Sequence, residues 1–319
     1  MVYVLLVLGL GFLIFGGDTL VRGAVQLARK MGVSPLLIGL TLVGFGTSTP
    51  ELITSLLAVK RGAQGIAVGN VVGSNTANIL LVLGLSALIA PVRVDLKSFR
   101  RDSVFLILST VGLIVALMAG TIGPVLGGGL VAALLFYVGY SYWSDRRNQK
   151  ALRVQEKELD SEMGADTGNV WTALIRTGVG IGLTLLGAKF LVDSATELAR
   201  AWGVSERVIG LTIVAVGTSL PELITSVMAS VRRQNDVAFG NVVGSNIYNA
   251  LFILGATALF MPVVVSADMG ADVWIMTGVT AALIGIAFTR RMFSRWVGGV
   301  FLGLYALYTF VMFNPGAGL

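Results

Sequence analysis

Along the chain, apolar runs of about 18 residues or more alternate with short polar turns, and each run can cross a hydrocarbon core of roughly 30 Å as a helix. The pattern predicts ten spans, at 2–28, 34–60, 64–90, 102–120, 122–144, 170–200, 205–231, 236–262, 269–289 and 295–314. The first run flows into Asp18 and Arg22 without a small-residue cleavage site, so it reads as a span rather than a removed signal peptide. The single long polar stretch, 145–169, opens basic and closes acidic (DRRNQKALRVQEKELDSEMGAD); it reads as a solvated linker without chemistry of its own. The expected fold class is an all-α membrane protein, with one half at 1–144, the linker at 145–169 and a second half at 170–319.

Charge sharpens this picture. The chain has 319 residues, 55% hydrophobic and 13% charged, with a net charge of +6; soluble domains carry about 25% charge. Of 23 Lys and Arg residues, sixteen fall in the turns after spans 1, 3, 5, 7 and 9, and four (Lys60, Arg61, Arg200, Arg207) fall on the opposite side. The positive-inside rule then puts the linker in the cytoplasm and both termini outside, in the plasma (cell inner) membrane. Topology accounts for the positive excess, which removes nucleic acid as a partner and leaves the lipid bilayer. The chain has no histidine and no cysteine, so a thiol nucleophile, a zinc–thiolate cluster and an imidazole base are all excluded. Any site must be built from carboxylates, hydroxyls, amides and backbone oxygens.

The chain also repeats itself. Residues 46–55 read GTSTPELITS and 217–226 read GTSLPELITS; residues 69–78 read GNVVGSNTAN and 240–249 read GNVVGSNIYN. Both matches share an offset of 171, and aligning 27–88 with 198–259 at that offset yields 36 identities in 62 pairs. Glu51 falls in span 2 and Glu222 in span 7, an odd separation, so the halves should cross the membrane in opposite directions. Inverted repeats of this kind are typical of secondary transporters.

Within the repeat, Pro50 and Pro221 lie mid-span and should break each helix, with Ser48, Thr49 and Ser219 as capping residue types. Broken backbone at membrane depth frees carbonyls, tolerated only against protein or a wet cavity. Carboxylates at that depth, Glu51 and Glu222, are costly and by default functional, and two facing carboxylates require a divalent cation or protons between them. Irregular oxygen donors favour Ca²⁺ and Na⁺ over Mg²⁺. In spans 3 and 8, Asn70, Ser74 and Asn78, like Asn241, Ser245 and Asn249, form polar stripes at four-residue spacing. Asn70 and Asn241 suit equally well as interhelical glue, whereas Ser74, Asn78, Ser245 and Asn249 are ligand candidates. Gly69 with Gly73 and Gly240 with Gly244 offer surfaces for close helix contact. Asp18 with Arg22, and Lys189 with Asp193, read as self-neutralising i,i+4 pairs.

The paired motifs resemble the two α-repeats of the cation/calcium exchanger superfamily, on its sodium/calcium exchanger side. The resemblance implies a ten-helix fold with spans 2, 3, 7 and 8 as an ion-binding core and spans 1 and 6 as long tilted helices sliding across it. By motif position it implies that Glu51 and Glu222 coordinate Ca²⁺. Oxygens would come from Thr47, Ser48, Ser74, Thr218, Ser219 and Ser245, and from the carbonyls of Gly44 and Ala215. One position departs: some sodium-coupled members carry Asp where this chain has Asn249, so Asn78 and Asn249 are both amides here and the site holds two formal charges. That suffices for one Ca²⁺ and leaves the counter-ion open between Na⁺ and H⁺. The expected activity is a Ca²⁺/Na⁺ antiporter extruding cytoplasmic Ca²⁺, with a Ca²⁺/H⁺ antiporter as the alternative. No cofactor is expected, the ions being substrates. The oligomeric state is left open, one copy sufficing for transport. An aspartyl-type intramembrane hydrolase would need an acid dyad within its own motif, which neither repeat contains, and a passive channel would show uncoupled Ca²⁺ flux.

Overall fold

The computed structural model describes residues 1–147, 169–203, 215–265 and 269–313. Its helices are α1 Val2–Met31, α2 Pro35–Thr47, α3 Thr49–Lys60, α4 Gln64–Ile89, α5 Leu96–Met118, α6 Pro124–Arg147, α7 Val170–Ala201, α8 Leu220–Val231, α9 Asn235–Phe260, α10 Gly270–Arg290 and α11 Arg295–Phe313. Among the described residues, eight helices are long and apolar enough to cross a membrane, and the bent pair α2–α3 makes a ninth. The predicted seventh span is represented by the short turn Ala215–Thr218 and α8; its first part, 205–214, lies outside the described residues.

Span 2 is two helices meeting at 43°, the break expected at Pro50. One feature departs from the sequence reading. The helix expected to end at 144 continues to Arg147, so Asp145, assigned to the linker, is a buried helical residue. Most of the expected linker, 148–168, lies outside the described residues.

Four two-residue strands fix which helix ends share a face. β1 (Val92–Arg93) pairs antiparallel with β4 (Met292–Phe293), and β2 (Thr121–Ile122) pairs with β3 (Val263–Val264). The registers Val92↔Phe293 and Val263↔Ile122 map onto each other at the 171-residue offset, as do Arg93↔Met292 and Val264↔Thr121. The first ladder joins the α4–α5 and α10–α11 turns on one face. That face also carries the end of α6 and the starts of α2 and α9, with Arg146, Arg147, Arg232 and Arg233. The second ladder joins the α5–α6 and α9–α10 turns on the opposite face. The basic residues are therefore sorted by face, as a helix bundle in a membrane requires.

α4 and α9 are the most buried of the spans and form the centre. α1 and α7 pack along one another in opposite directions: Gly16 lies against Thr184, Leu20 against Gly180 and Gly23 against Thr177. The approach is backbone to backbone. A Cβ on Gly16 would sit 2.7 Å from Thr184 N, and one on Gly180 2.7 Å from Leu20 Cβ. Small residues permit this contact where lipid provides no hydrophobic drive for helix association. Thr177 and Thr184 donate their hydroxyls to their own helix, to Ala173 O at 2.8 Å and Gly180 O at 2.7 Å, so the seam buries no idle donor there.

Because the α1–α7 seam has no room for a methyl group at Gly180, Gly180→Ala is expected to lower stability by about 1–3 kcal/mol, the usual range for overpacking. Gly182, which faces open space on the same helix, serves as the control. Gly182→Ala is expected to stay within about 0.5 kcal/mol, both read from thermal unfolding in detergent.

Candidate functional site

The site grows from the two helix breaks. Ser48 (φ −81°, ψ 8°) separates α2 from α3, and Ser219 (φ −88°, ψ 5°) precedes α8. Proline near the start of each restarted helix removes a donor that the first turn does not need, and Glu51 and Glu222 fall in those first turns. Anionic side chains are favoured there by the helix dipole.

The capping role expected of Ser48 and Ser219 is not what the structure shows. Neither makes a side-chain cap; each hydroxyl instead crosses to the other half. Ser48 Oγ donates to Glu222 Oε1 at 2.8 Å, and Ser219 Oγ to Glu51 Oε1 at 3.3 Å. Thr49 turns back to Phe45 O at 3.2 Å. Both glutamates are 1% exposed, and the second oxygen of each, Oε2, has no hydrogen-bond partner among the described residues.

A supporting layer orients the restarted helices. Asn70 Nδ2 donates to Glu51 O and Ser55 Oγ, both at 2.9 Å; Asn241 Nδ2 donates to Glu222 O at 3.2 Å and Ser226 Oγ at 2.9 Å. Of the two readings open for Asn70 and Asn241, interhelical glue is the one their amide nitrogens carry out. Thr47 Oγ1 lies 3.0 Å from Val43 O, 3.3 Å from Gly44 O and 3.3 Å from Asn241 Oδ1. The Gly44 carbonyl, one of the two that the resemblance implied as ion ligands, also accepts Ser48 N–H at 3.0 Å, because the proline that cannot donate stands two residues later. In the second half Ser219 N–H donates to Val216 O at 3.2 Å. Thr218 closes the short turn that begins at Ala215.

α4 and α9 bring the remaining oxygens. Ser74 is 6% exposed, while Ser245, Asn78 and Asn249 are buried at 1% or less. Asn78 and Asn249 each open a π-helical segment, Asn78–Leu83 and Asn249–Ile253. Such one-turn widenings recur at functional positions. Asn78 Oδ1, Ser245 Oγ and both polar atoms of the Asn249 amide have no partner among the described residues.

Sequence reasoning passed over Asn75 and Asn246, which lie between the four-spaced positions. Asn75 Nδ2 donates to Asn246 O, and Asn246 Nδ2 to Asn75 O, both at 3.4 Å; Asn78 Nδ2 donates to Asn246 Oδ1 at 3.2 Å. Their repetition within both GSN triplets was the available signal. The glycine pairs also part company. Gly240 and Gly244 pack on the backbone of α2 at Leu36 and Leu40, whereas a Cβ on Gly73 meets nothing within 4 Å among the described residues. Gly73 instead lines a cavity of about 260 Å³ with Asn70, Ser74, Ser219, Tyr308 and Thr309. The outlying charges pair locally as expected, Arg22 with Asp18 at 3.1 Å and Lys189 with Asp193 at 2.6 Å; Arg232 also reaches Asp18.

A bundle with this many apolar spans, holding two carboxylates in its interior among hydroxyls and amides, is a multi-pass membrane protein of the transporter class. The profile of the sodium/calcium exchanger protein family matches residues 1–143 and 172–314. The chain belongs to that family. It is 38% identical over 263 residues to the inner membrane protein YrbG of Escherichia coli, covering 81% of this chain and 79% of that one. To the sodium/calcium exchanger MaX1 of Methanosarcina acetivorans it is 32% identical, with 98% of each covered. The solved structure of the sodium-calcium exchanger NCX_Mj superposes with a TM-score of 0.81 at 31% identity, over 96% of this chain and 98% of that one.

The two hydrogen bonds donated by Asn241, which is fully buried, offer a test of the supporting layer. Asn241→Leu keeps the branched shape and leaves the Glu222 carbonyl and Ser226 without their donor. It is expected to lower stability by about 1–3 kcal/mol, checked by thermal unfolding of the purified protein.

Proposed function

We propose that the chain is a secondary antiporter that exchanges Ca²⁺ for Na⁺ by alternating access and extrudes cytoplasmic Ca²⁺. The observation that carries this is the crossed pair of carboxylates: each is buried, held on one oxygen by the other half's serine, and left with its second oxygen unengaged. Two such anions together balance one divalent cation, and the surrounding donors are all hard oxygens, which suit Ca²⁺ and Na⁺. Ligands are drawn from Glu51, Glu222, Thr47, Ser48, Ser74, Asn78, Thr218, Ser219, Ser245 and Asn249, with the carbonyls of Gly44 and Ala215. The printed names of MaX1 and NCX_Mj, both sodium/calcium exchangers, support the ion assignment.

The architecture proposed with it has ten spans in two inverted halves, 1–144 and 170–319, joined by a cytoplasmic linker, with both termini outside and the protein in the plasma membrane. The antiparallel course of α1 and α7, the equivalent first helices of the two halves, supports the inversion, as does the exchange of β1–β4 for β2–β3 at the repeat offset. The sorting of basic residues onto one face supports the orientation. α1 and α7, packed mainly on each other, are the pair that would slide.

A second reading, with H⁺ in place of Na⁺, is favoured by Asn249, an amide at the position where an additional acid would help hold monovalent cations. Radiolabelled Ca²⁺ uptake into proteoliposomes separates the two. Uptake is expected under an outwardly directed Na⁺ gradient at constant pH; uptake driven by a pH gradient alone overturns the sodium assignment. Glu51→Gln and Glu222→Gln are each expected to reduce uptake to that of protein-free vesicles, and retained transport in both refutes the site.

A further inference from the structure

The basic face carries a buried ionic cluster that the two-carboxylate site does not use. Ser34 caps the start of α2, accepting Leu37 N–H at 3.1 Å. Its own hydroxyl and amide both donate to Asp145 Oδ2 at the end of α6, at 2.6 Å and 3.0 Å. The other carboxylate oxygen of Asp145 accepts Arg101 Nη1 at 2.7 Å, and that nitrogen also reaches Ser141 O at 3.1 Å. Arg101 closes a two-point pair with Asp102, Nε to Oδ1 at 2.8 Å and Nη2 to Oδ2 at 3.1 Å, while Tyr137 donates to Asp102 Oδ1 at 3.3 Å. Ser34, Asp102, Tyr137 and Asp145 are all buried. The cluster therefore ties the first residue before α2 to the ends of α5 and α6.

What it holds shut is the contact of α2 with α9. From Pro35 onward α2 lies backbone to backbone on α9: a Cβ on Gly39 would be 3.0 Å from Val237 O, and one on Gly240 2.7 Å from Leu36 O. The same helix ends at Thr47 and Ser48, which bond to Asn241 and Glu222. A cavity of about 290 Å³ opens on this face between Pro35, Arg93, Asp95, Gln234 and Asn235, but no residue of α2 beyond Pro35 lines it, so it ends where the α2–α9 contact anchored by Ser34 begins.

The opposite face differs. The cavity of about 260 Å³ that reaches Asn70 and Ser219 is lined by the first half of α4 and the last half of α11, on the side of the β2–β3 ladder. At the repeat offset Tyr137 becomes Tyr308, which keeps its acid, donating to Asp272 Oδ1 at 3.1 Å. Arg101, however, becomes Asp272, Asp102 becomes Val273 and Asp145 becomes Gly316, so at those positions the second half has no guanidinium and a single acid, Asp272, standing where the first half has its arginine.

We infer that Ser34, Asp145, Arg101 and Asp102 form a one-sided latch that holds α2 closed at the basic face, so that exposing the carboxylates there requires breaking the buried hydrogen bonds of Ser34 to Asp145, whose carboxylate Arg101 holds in place, whereas at the opposite face the repeat puts Gly316 in the place of that carboxylate. The latch biases the resting population toward the conformation open at the cavity face. Its residues act through the position of α2 and touch no transported ion. The inference deepens the alternating-access reading above and rests on it.

The chain has no cysteine of its own, so a single introduced one reports accessibility. Leu36→Cys, buried under the latch, and Thr309→Cys, in the cavity, are each labelled with a membrane-impermeant thiol reagent in detergent-purified, monodisperse protein. Adding Asp145→Ala or, more mildly, Ser34→Ala is expected to raise the labelling rate at position 36 on the order of fivefold or more and to lower it at 309. An unchanged rate at 36 in both variants overturns the latch. So does a rise at both sites together, which would make the cluster a general support of the bundle. Labelling is read without any transported ion, so failure of the latch is distinguishable from failure of the exchange assignment, which the uptake experiment decides.

Discussion

Two carboxylates held where water does not reach impose the constraint on which the rest of the structure depends. An ionised acid in a low-dielectric interior is tolerated only with compensating charge and hydrogen bonds. Here each acid receives a hydroxyl from the half of the chain to which it does not belong, Ser48 to Glu222 and Ser219 to Glu51. Neither half can complete its own site. The same reciprocity extends outward through Asn75 and Asn246 at the centre and through the strand ladders at the faces.

Delivering those serines requires the helices to break and the backbones to approach. The breaks put the serines outside regular helix, so their side chains are released from capping and can cross to the partner half. Close approach is secured by glycine along α1–α7 and where α9 meets α2. The amides of Asn70 and Asn241 then pin the restarted helices to α4 and α9, so that the carboxylates are aimed by hydrogen bonds to their own carbonyls. Rigid aim and an unengaged second oxygen are together what a cation-binding carboxylate needs.

The halves are alike at the site and unlike at the faces. Sequence identity between them is dense from 27 to 88, where the acids, serines and asparagines lie, and sparse at the ends of α5, α6, α10 and α11. Selective divergence at the faces allows one pseudo-symmetric centre to meet two different environments, a basic face whose cavity ends at Pro35 and an opposite face whose cavity reaches Ser74 and Ser219. The Ser34–Asp145 contact spans 111 residues, and nothing in the local pattern around either residue announces it.

Much of this was legible in order along the chain. Hydrophobic runs set the spans because each must exceed the membrane thickness, and a common offset of 171 marked the paired motifs because related halves reuse one set of interactions. Glu51 and Glu222 stood out because an acid deep in an apolar run has few other reasons to persist. The family followed from those motifs. What the sequence left undecided depends on which groups meet across the bundle. Ser48 and Ser219 are capping types in any local reading, and only the packed halves turn them toward the opposite glutamates. Asn75 and Asn246, the π-helical turns at Asn78 and Asn249, and the removal of Asp145 from the linker into a buried ionic cluster likewise arise from tertiary contact. The sequence alone determined where the chain crosses the membrane and which residues carry charge to its centre, since both are matters of solvation along one segment. The tertiary structure alone decided how those charges are held and how far a cavity reaches from each face, because hydrogen bonds and ion pairs between distant segments are made by proximity in space.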